Sequence, residues 1–121
     1  MITWKIFFGY VLLLIFGIYM LLILLMLLGS TARAQVIVTE FNAEWNKSNG
    51  VEWLIELEDC EVTKVDIVKY PKFQKKHKIV VVPTIIIFKD GEEVKRFQAD
   101  ISFSMKATRK ELQEVINEQL M

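Results

Sequence analysis

VIVTEFNAEWNKSNG, Val36 to Gly50, is the stretch whose reading decides the fold. Val36 to Phe41 is apolar or β-branched at nearly every position, the composition of a strand covered on both faces, as parallel strands in α/β folds are. The strand runs into a short loop bearing Trp45, and a helical pattern follows. Strand, loop and helix in this order set up a site, because the loop lies at the carboxyl end of the strand. Yet this loop offers Asn46, Lys47, Ser48 and Asn49 and no activated nucleophile.

Downstream, NKSNGVEWLIELED places Val51, Leu54, Ile55 and Glu58 at helical spacing, which predicts a helix ending near Asp59. Asn46 is its N-cap candidate, and Asn49-Gly50 is a turn signal that would move the start towards Gly50. EVTKVDIV, Glu61 to Val68, alternates like a second strand, and Tyr70-Pro71 ends it. Pro71 is suited to open a short helix over PKFQKKHK. IVVVPTIIIFKDGEEVKRFQAD then sets two β-branched runs around Asp90-Gly91, a hairpin signal. Its last strand, Glu93 to Phe97, carries Lys95 and Arg96, charges that protect an exposed edge. Thr108 to Glu111 matches a capping box, and Leu112, Val115, Ile116 and Leu120 make the apolar stripe of a closing helix. This order predicts an α/β fold: a mixed four-stranded sheet with helices on both faces.

Upstream, Ile6 to Leu28 contains no charged residue and no proline, and is long enough to cross a bilayer as a helix. Lys5 and the free amine before it, against Arg33 after it, favour an N-terminus in the cytoplasm and the remainder outside. Ala32 and Ala34 form an A-x-A cleavage pattern that would leave Gln35 as a new N-terminus. The apolar run exceeds a usual signal core, which suits an anchor, and a start at Met20 would shorten it to LLILLMLL. Cleaved signal and retained anchor both stand. The expected organisation is a signal peptide or transmembrane anchor over 1–34 and a domain over 35–121, exported or membrane-anchored and periplasmic in a bacterium.

The composition excludes several classes. Lysine plus arginine and aspartate plus glutamate each total 15, so no basic excess points to nucleic acid. With one cysteine, Cys60, the chain holds neither an internal disulfide nor a dithiol pair, and with one histidine, His77, it offers no metal site. No cofactor is implied.

From Val36 to Met121 the sequence resembles the thioredoxin family. VTEFNAEW resembles the strand and tryptophan that lead into that family's C-x-x-C, VTKVDI with Tyr70-Pro71 its next strand and turn, VVVPTIIIFKDGEEV its cis-proline strand and hairpin, and RFQA the strand end that follows. The resemblance implies a minimal thioredoxin-like fold without the family's first strand and helix. Trp45 takes the place of the tryptophan before the first cysteine and Pro83 that of the cis-proline. Glu40 takes that of the buried acid, and Lys64 that of the lysine approaching it, a pair expected to compensate each other as buried charges. Asn46 and Asn49 stand where the family has its cysteines. An amide cannot attack a disulfide sulfur, so the scaffold is expected without the reaction. Gln98 replaces a groove-opening glycine, and Asn42 an aromatic or small residue.

The first expectation is therefore a redox-inactive protein, not an enzyme, that holds an extended protein or peptide partner in the groove of Trp45, Asn46, Val82 and Pro83, with membrane contact through residues 6–28 where the block is retained. The residue before a cis-proline offers its backbone to such a strand. A second is a monothiol oxidoreductase acting through Cys60, although Asp59 and Glu61 would raise its pKa. A third is a structural head on a membrane anchor. Asn46-Lys47-Ser48 also matches a glycosylation acceptor. KFQKKHK reads as a solvated basic face, or as one grazing acidic headgroups.

Overall fold

The structure, a computed structural model, describes residues 2–29 and 35–121. The chain divides into two units, Met1–Arg33 and Ala34–Met121. The Ala32–Ala34 cleavage pattern lies outside the described residues.

The described residues of the first unit form one helix, α1 (Ile2–Gly29). Its stretch Thr3–Leu28 is long and apolar enough to cross a membrane, and none of it is buried within the protein. A helix apolar on every side has no face to turn to water, so its placement suits lipid or the export machinery.

In the second unit β1 (Val36–Asn42) pairs in parallel with β2 (Glu61–Asp66) and antiparallel with β3 (Thr84–Lys89), which pairs antiparallel with β4 (Glu92–Gln98). The strand order is β2-β1-β3-β4. Alternation along the strands divides the core in two. Val36, Val38, Ile85 and Ile87 point to one face, where Leu112 and Ile116 of α3 (Arg109–Gln119) and Val51, Leu54 and Leu57 cover them. Phe41 and Ile86 point to the other, packing with Ala43, Ile67, Ile79, Val82 and Phe73 of α2 (Pro71–Lys76). The Thr39 and Thr63 hydroxyls join β1 to β2 at 2.7 Å on that second face.

The hairpin forms at Asp90-Gly91, whose positive φ values of 51° and 85° suit a two-residue turn between twisted strands. Thr108 caps α3, accepting from the Glu111 N–H. Two expectations require correction. Ile79–Val82 is not strand, since β3 begins at Thr84. The helix after the loop is replaced by two 3-10 segments, Glu44–Asn49 and Glu52–Glu56, parted by extended Gly50 and Val51. The buried side chains are Val51, Leu54 and Leu57, three residues apart, while Ile55 is 78% exposed. Three is the period of a 3-10 helix, so Leu54 shares its buried stripe with Leu57 rather than with Ile55.

Candidate functional site

β1 ends at Asn42, and Ala43 enters the core beneath the loop, which forces Glu44–Asn49 to turn tightly over the carboxyl end of the sheet. Gly50 closes the turn. A Cβ there would stand 3.1 Å from the Lys47 carbonyl oxygen, so the chain passes itself only with a glycine or a local shift. The Val51 N–H leaves the helical ladder to donate to Glu40 Oε2 at 2.7 Å.

Trp45 projects outward, 64% exposed, while Asn46 turns inward and is 3% exposed. Asn46 is therefore not the N-cap expected of it. Its backbone lies inside the 3-10 segment at φ −109°, ψ 16°, and its side chain serves a different purpose. Asn46 Nδ2 donates to Asn42 Oδ1 at 3.1 Å, to the Phe103 carbonyl at 3.1 Å and to the Val82 carbonyl at 3.4 Å. Two hydrogens for three acceptors make the longest bond a shared one. Its Oδ1 accepts from Asn49 Nδ2 at 2.9 Å, and Asn42 Nδ2 returns a bond to the Asn46 carbonyl at 3.3 Å. Three of the loop's departures from the resembled family, Asn42, Asn46 and Asn49, thus form one network. The signal in the sequence was their spacing of four and three across one turn, which no single-residue comparison reveals.

The network closes the expected groove. The Val82–Pro83 peptide is cis, but Val82 is buried with its carbonyl engaged by Asn46, and the Pro83 carbonyl accepts from the Ala99 N–H at 3.0 Å. Over this floor lies a strap, residues 99–107, that sequence reasoning missed. Asp100 organises it, accepting from the Ser102 N–H at 2.9 Å and from the Ser102 hydroxyl, and pairing with Lys106 at 3.5 Å. The Ser102 bonds hold the Asp100 carboxyl below its ordinary pKa. Phe103, at φ 60°, turns its ring edge-on to Trp45 with centroids 5.3 Å apart. Of the four residues expected to line a peptide groove, only Trp45 faces solvent; Gln98 is exposed on β4 and plays no part in the closure.

Glu40 and Lys64 are register neighbours on β1 and β2, yet they are not a pair of buried charges. Glu40 is 4% exposed, Lys64 is exposed, and no ion pair joins them among the described residues. Burial pushes the Glu40 carboxyl up from its ordinary value; the Val51 N–H and, less, the Lys64 charge pull it back. A cleft of about 370 Å³ opens beside it, lined by Glu44, Lys47, Glu52, Lys64 and Asp66, a mixed set of charges with no metal-holding group among the described residues.

Cys60 is half-buried against the α3-side core, and burial first, then Asp59, raises its thiol pKa. That depletes the thiolate which any monothiol reaction requires. His77 sits among Phe41, Phe73 and Phe88, its pKa lowered by burial and by Lys76 and Arg96. The Asn46 acceptor pattern is sealed inside the folded domain, since the amide nitrogen a glycan would need is the buried Nδ2.

Comparison with known proteins places residues 30–118 on the family model described as Thioredoxin. Chloroplastic Thioredoxin Y1 of Arabidopsis thaliana is 45% identical over 42 residues, 35% of this chain, and the match spans only 24% of that relative's length. Among solved structures, Fasciola hepatica thioredoxin is 31% identical with a TM-score of 0.53, covering 70% of this chain and 81% of its own. Schistosoma mansoni thioredoxin is 25% identical with a TM-score of 0.56, covering 78% and 85%.

Proposed function

Because the chain belongs to the thioredoxin family and carries a single cysteine, we propose that it is a redox-inactive, membrane-associated member that works by holding a polypeptide segment rather than by thiol–disulfide exchange. The observation that supports this most is Asn46. The place where the family resemblance puts the attacking thiol is filled by a buried amide whose hydrogen bonds lock the loop to the cis-proline turn and the strap. Neither a nucleophile nor an open sulfur-exchange groove remains. What the end of the sheet does present is apolar and outward: Trp45, with Phe103 against it and Ile101 beyond, all exposed. Large exposed aromatics at the rim of a rigid loop are the residue type that dominates polypeptide binding. The N-terminal helix would keep this surface at a membrane, on its outer side by the charge bias, or would direct the domain across it.

Binding of a fluorescent unfolded chain, reduced and carboxymethylated lactalbumin, to the full protein in lipid nanodiscs tests this reading. The native protein should bind it, and Trp45→Ser should weaken binding by roughly tenfold or more, the loss expected of a central aromatic contact. Native and Trp45→Ser proteins that bind alike, or a native protein that does not bind, would reject it.

A further inference from the structure

The zero formal charge of this chain is not evenly spread along it. Between Lys69 and Lys78 stand Lys69, Lys72, Lys75, Lys76 and Lys78 with no carboxylate, and all five are exposed. This segment, built on α2, packs through Phe73 on the Phe41–Ile86 face of the sheet. The acids gather elsewhere. Glu52, Glu56, Glu58, Asp59 and Glu61 lie in or just after the second 3-10 segment, which covers the opposite face with α3, and α3 carries Glu111, Glu114 and Glu118 after Arg109 and Lys110 at its start.

No salt bridge among the described residues uses a lysine of the α2 segment. The nearby acid, Glu93, is bound to Arg96 at 2.7 Å, and Arg96 spends its other bonds on the His77 and Lys78 carbonyls at 2.7 and 3.2 Å. Five like charges in ten residues repel one another, and apart from Asp66 at the start of the segment, whose carboxylate accepts from the Val68 and Lys69 N–H groups, no carboxylate lies within it. Apolar groups are interleaved with them. Val68 and Tyr70 are exposed, Val80 is 83% exposed, and Lys69 and Lys72 hold their ammonium groups 5.6 and 5.4 Å from the ring centroids of Tyr70 and Phe73. Lysines mixed with a tyrosine and exposed aliphatics are the composition of a surface that rests at the headgroup layer, with the charges among phosphates and the apolar groups at the acyl boundary. The same chain carries a bilayer-length helix, so a lipid surface is present at high effective concentration.

We propose that the face formed by Lys69, Lys72, Lys75, Lys76, Tyr70 and Val80 docks on anionic phospholipid headgroups. The proposal rests on the retained-anchor form of the reading above. It assigns α2 to the membrane and leaves the Trp45 rim for a polypeptide.

The test is amine acetylation by a membrane-impermeant reagent on the full chain in vesicles of phosphatidylcholine alone or with phosphatidylglycerol added, read residue by residue by mass spectrometry. With phosphatidylglycerol, Lys72, Lys75 and Lys76 should react about fivefold more slowly relative to Lys110, the factor that an anionic surface supplies per lysine, and the difference should collapse in high salt. Equal ratios in the two vesicles would overturn the proposal and leave an acidic protein as the better match for the face. A Lys72→Glu/Lys75→Glu/Lys76→Glu variant changes exposed side chains only; it should abolish the slowing at Lys69 and Lys78, and persistence there would equally contradict it. Alkaline extraction of the same vesicles separates the two readings. A chain retained in the pellet with unprotected lysines sinks the lipid face alone; a chain extracted from the pellet whose lysines had been protected sinks the anchor alone.

Discussion

Asn46 holds three segments of this chain with one amide: its own loop through Asn42 and Asn49, the turn at Val82, and the strap at Phe103. Replacing it by alanine leaves the buried Val82 carbonyl, the part-buried Phe103 carbonyl and the neighbouring asparagines short of partners, each a cost of about 1 kcal/mol or more where water cannot reach. Asn46→Ala should therefore lower the unfolding free energy by about 2–3 kcal/mol in urea denaturation of the full chain in micelles, where a loss under about 0.5 kcal/mol would mean the network is idle. Asn46→Cys, which restores the residue type of the resembled family, should also destabilise, because a thiol cannot supply two amide hydrogens. Glu40 behaves differently. Its carboxyl is raised above the ordinary 4.5 by burial, so the folded state takes up a proton more readily than the unfolded chain. Stability should rise as pH falls from neutral through the raised value, and this contribution should be complete only below 4.5, where the unfolded carboxyl is protonated too. Glu40→Gln keeps an acceptor for the Val51 N–H without the charge; it should flatten that slope and be at least as stable as the native chain at neutral pH. A slope unchanged in the variant would show that another group produces it.

At the scale of elements, those whose order comes from their own residues were legible. β1 and β3 follow from β-branched runs, the hairpin from Asp90-Gly91, and α3 from Thr108 and its stripe. The 3-10 pair was not, because Val51 and Leu54 satisfy a period of three and a period of 3.6 alike, and only burial of Leu57 against exposure of Ile55 separates them. The strap was not legible either. Its shape depends on the Asp100 carboxylate and its position on an amide fifty-seven residues away, and neither leaves a periodic trace. Asp100→Ala should free the strap without unfolding the sheet. Amide exchange over 100–106 should quicken while β1 and β3 stay protected, and Trp45 should become more accessible to quenchers. Unchanged exchange would show that the Asn46–Phe103 bond alone fixes the strap.

For the whole molecule, the minimal thioredoxin-like sheet and the apolar helix before it could be read from the sequence, since both rest on hydrophobic pattern. The site could be read only in part. Trp45, Asn46, Val82 and Pro83 do meet at the end of the sheet, but three of the four are buried there because Asn46 and the strap close the groove, a consequence of contacts between distant segments. Glu40 is buried, whereas Lys64, expected to be buried with it, stays in solvent. These particulars describe a thioredoxin-family scaffold with a single cysteine and a buried asparagine network at the end of its sheet, and the proposed absence of sulfur exchange rests on them. The direct measurement is reduction of insulin disulfides by the purified full chain with dithiothreitol as the electron source, beside its own Cys60→Ser variant. The account predicts no rate above dithiothreitol alone for either protein. Turnover comparable to a dithiol oxidoreductase, lost on changing Cys60, would contradict it.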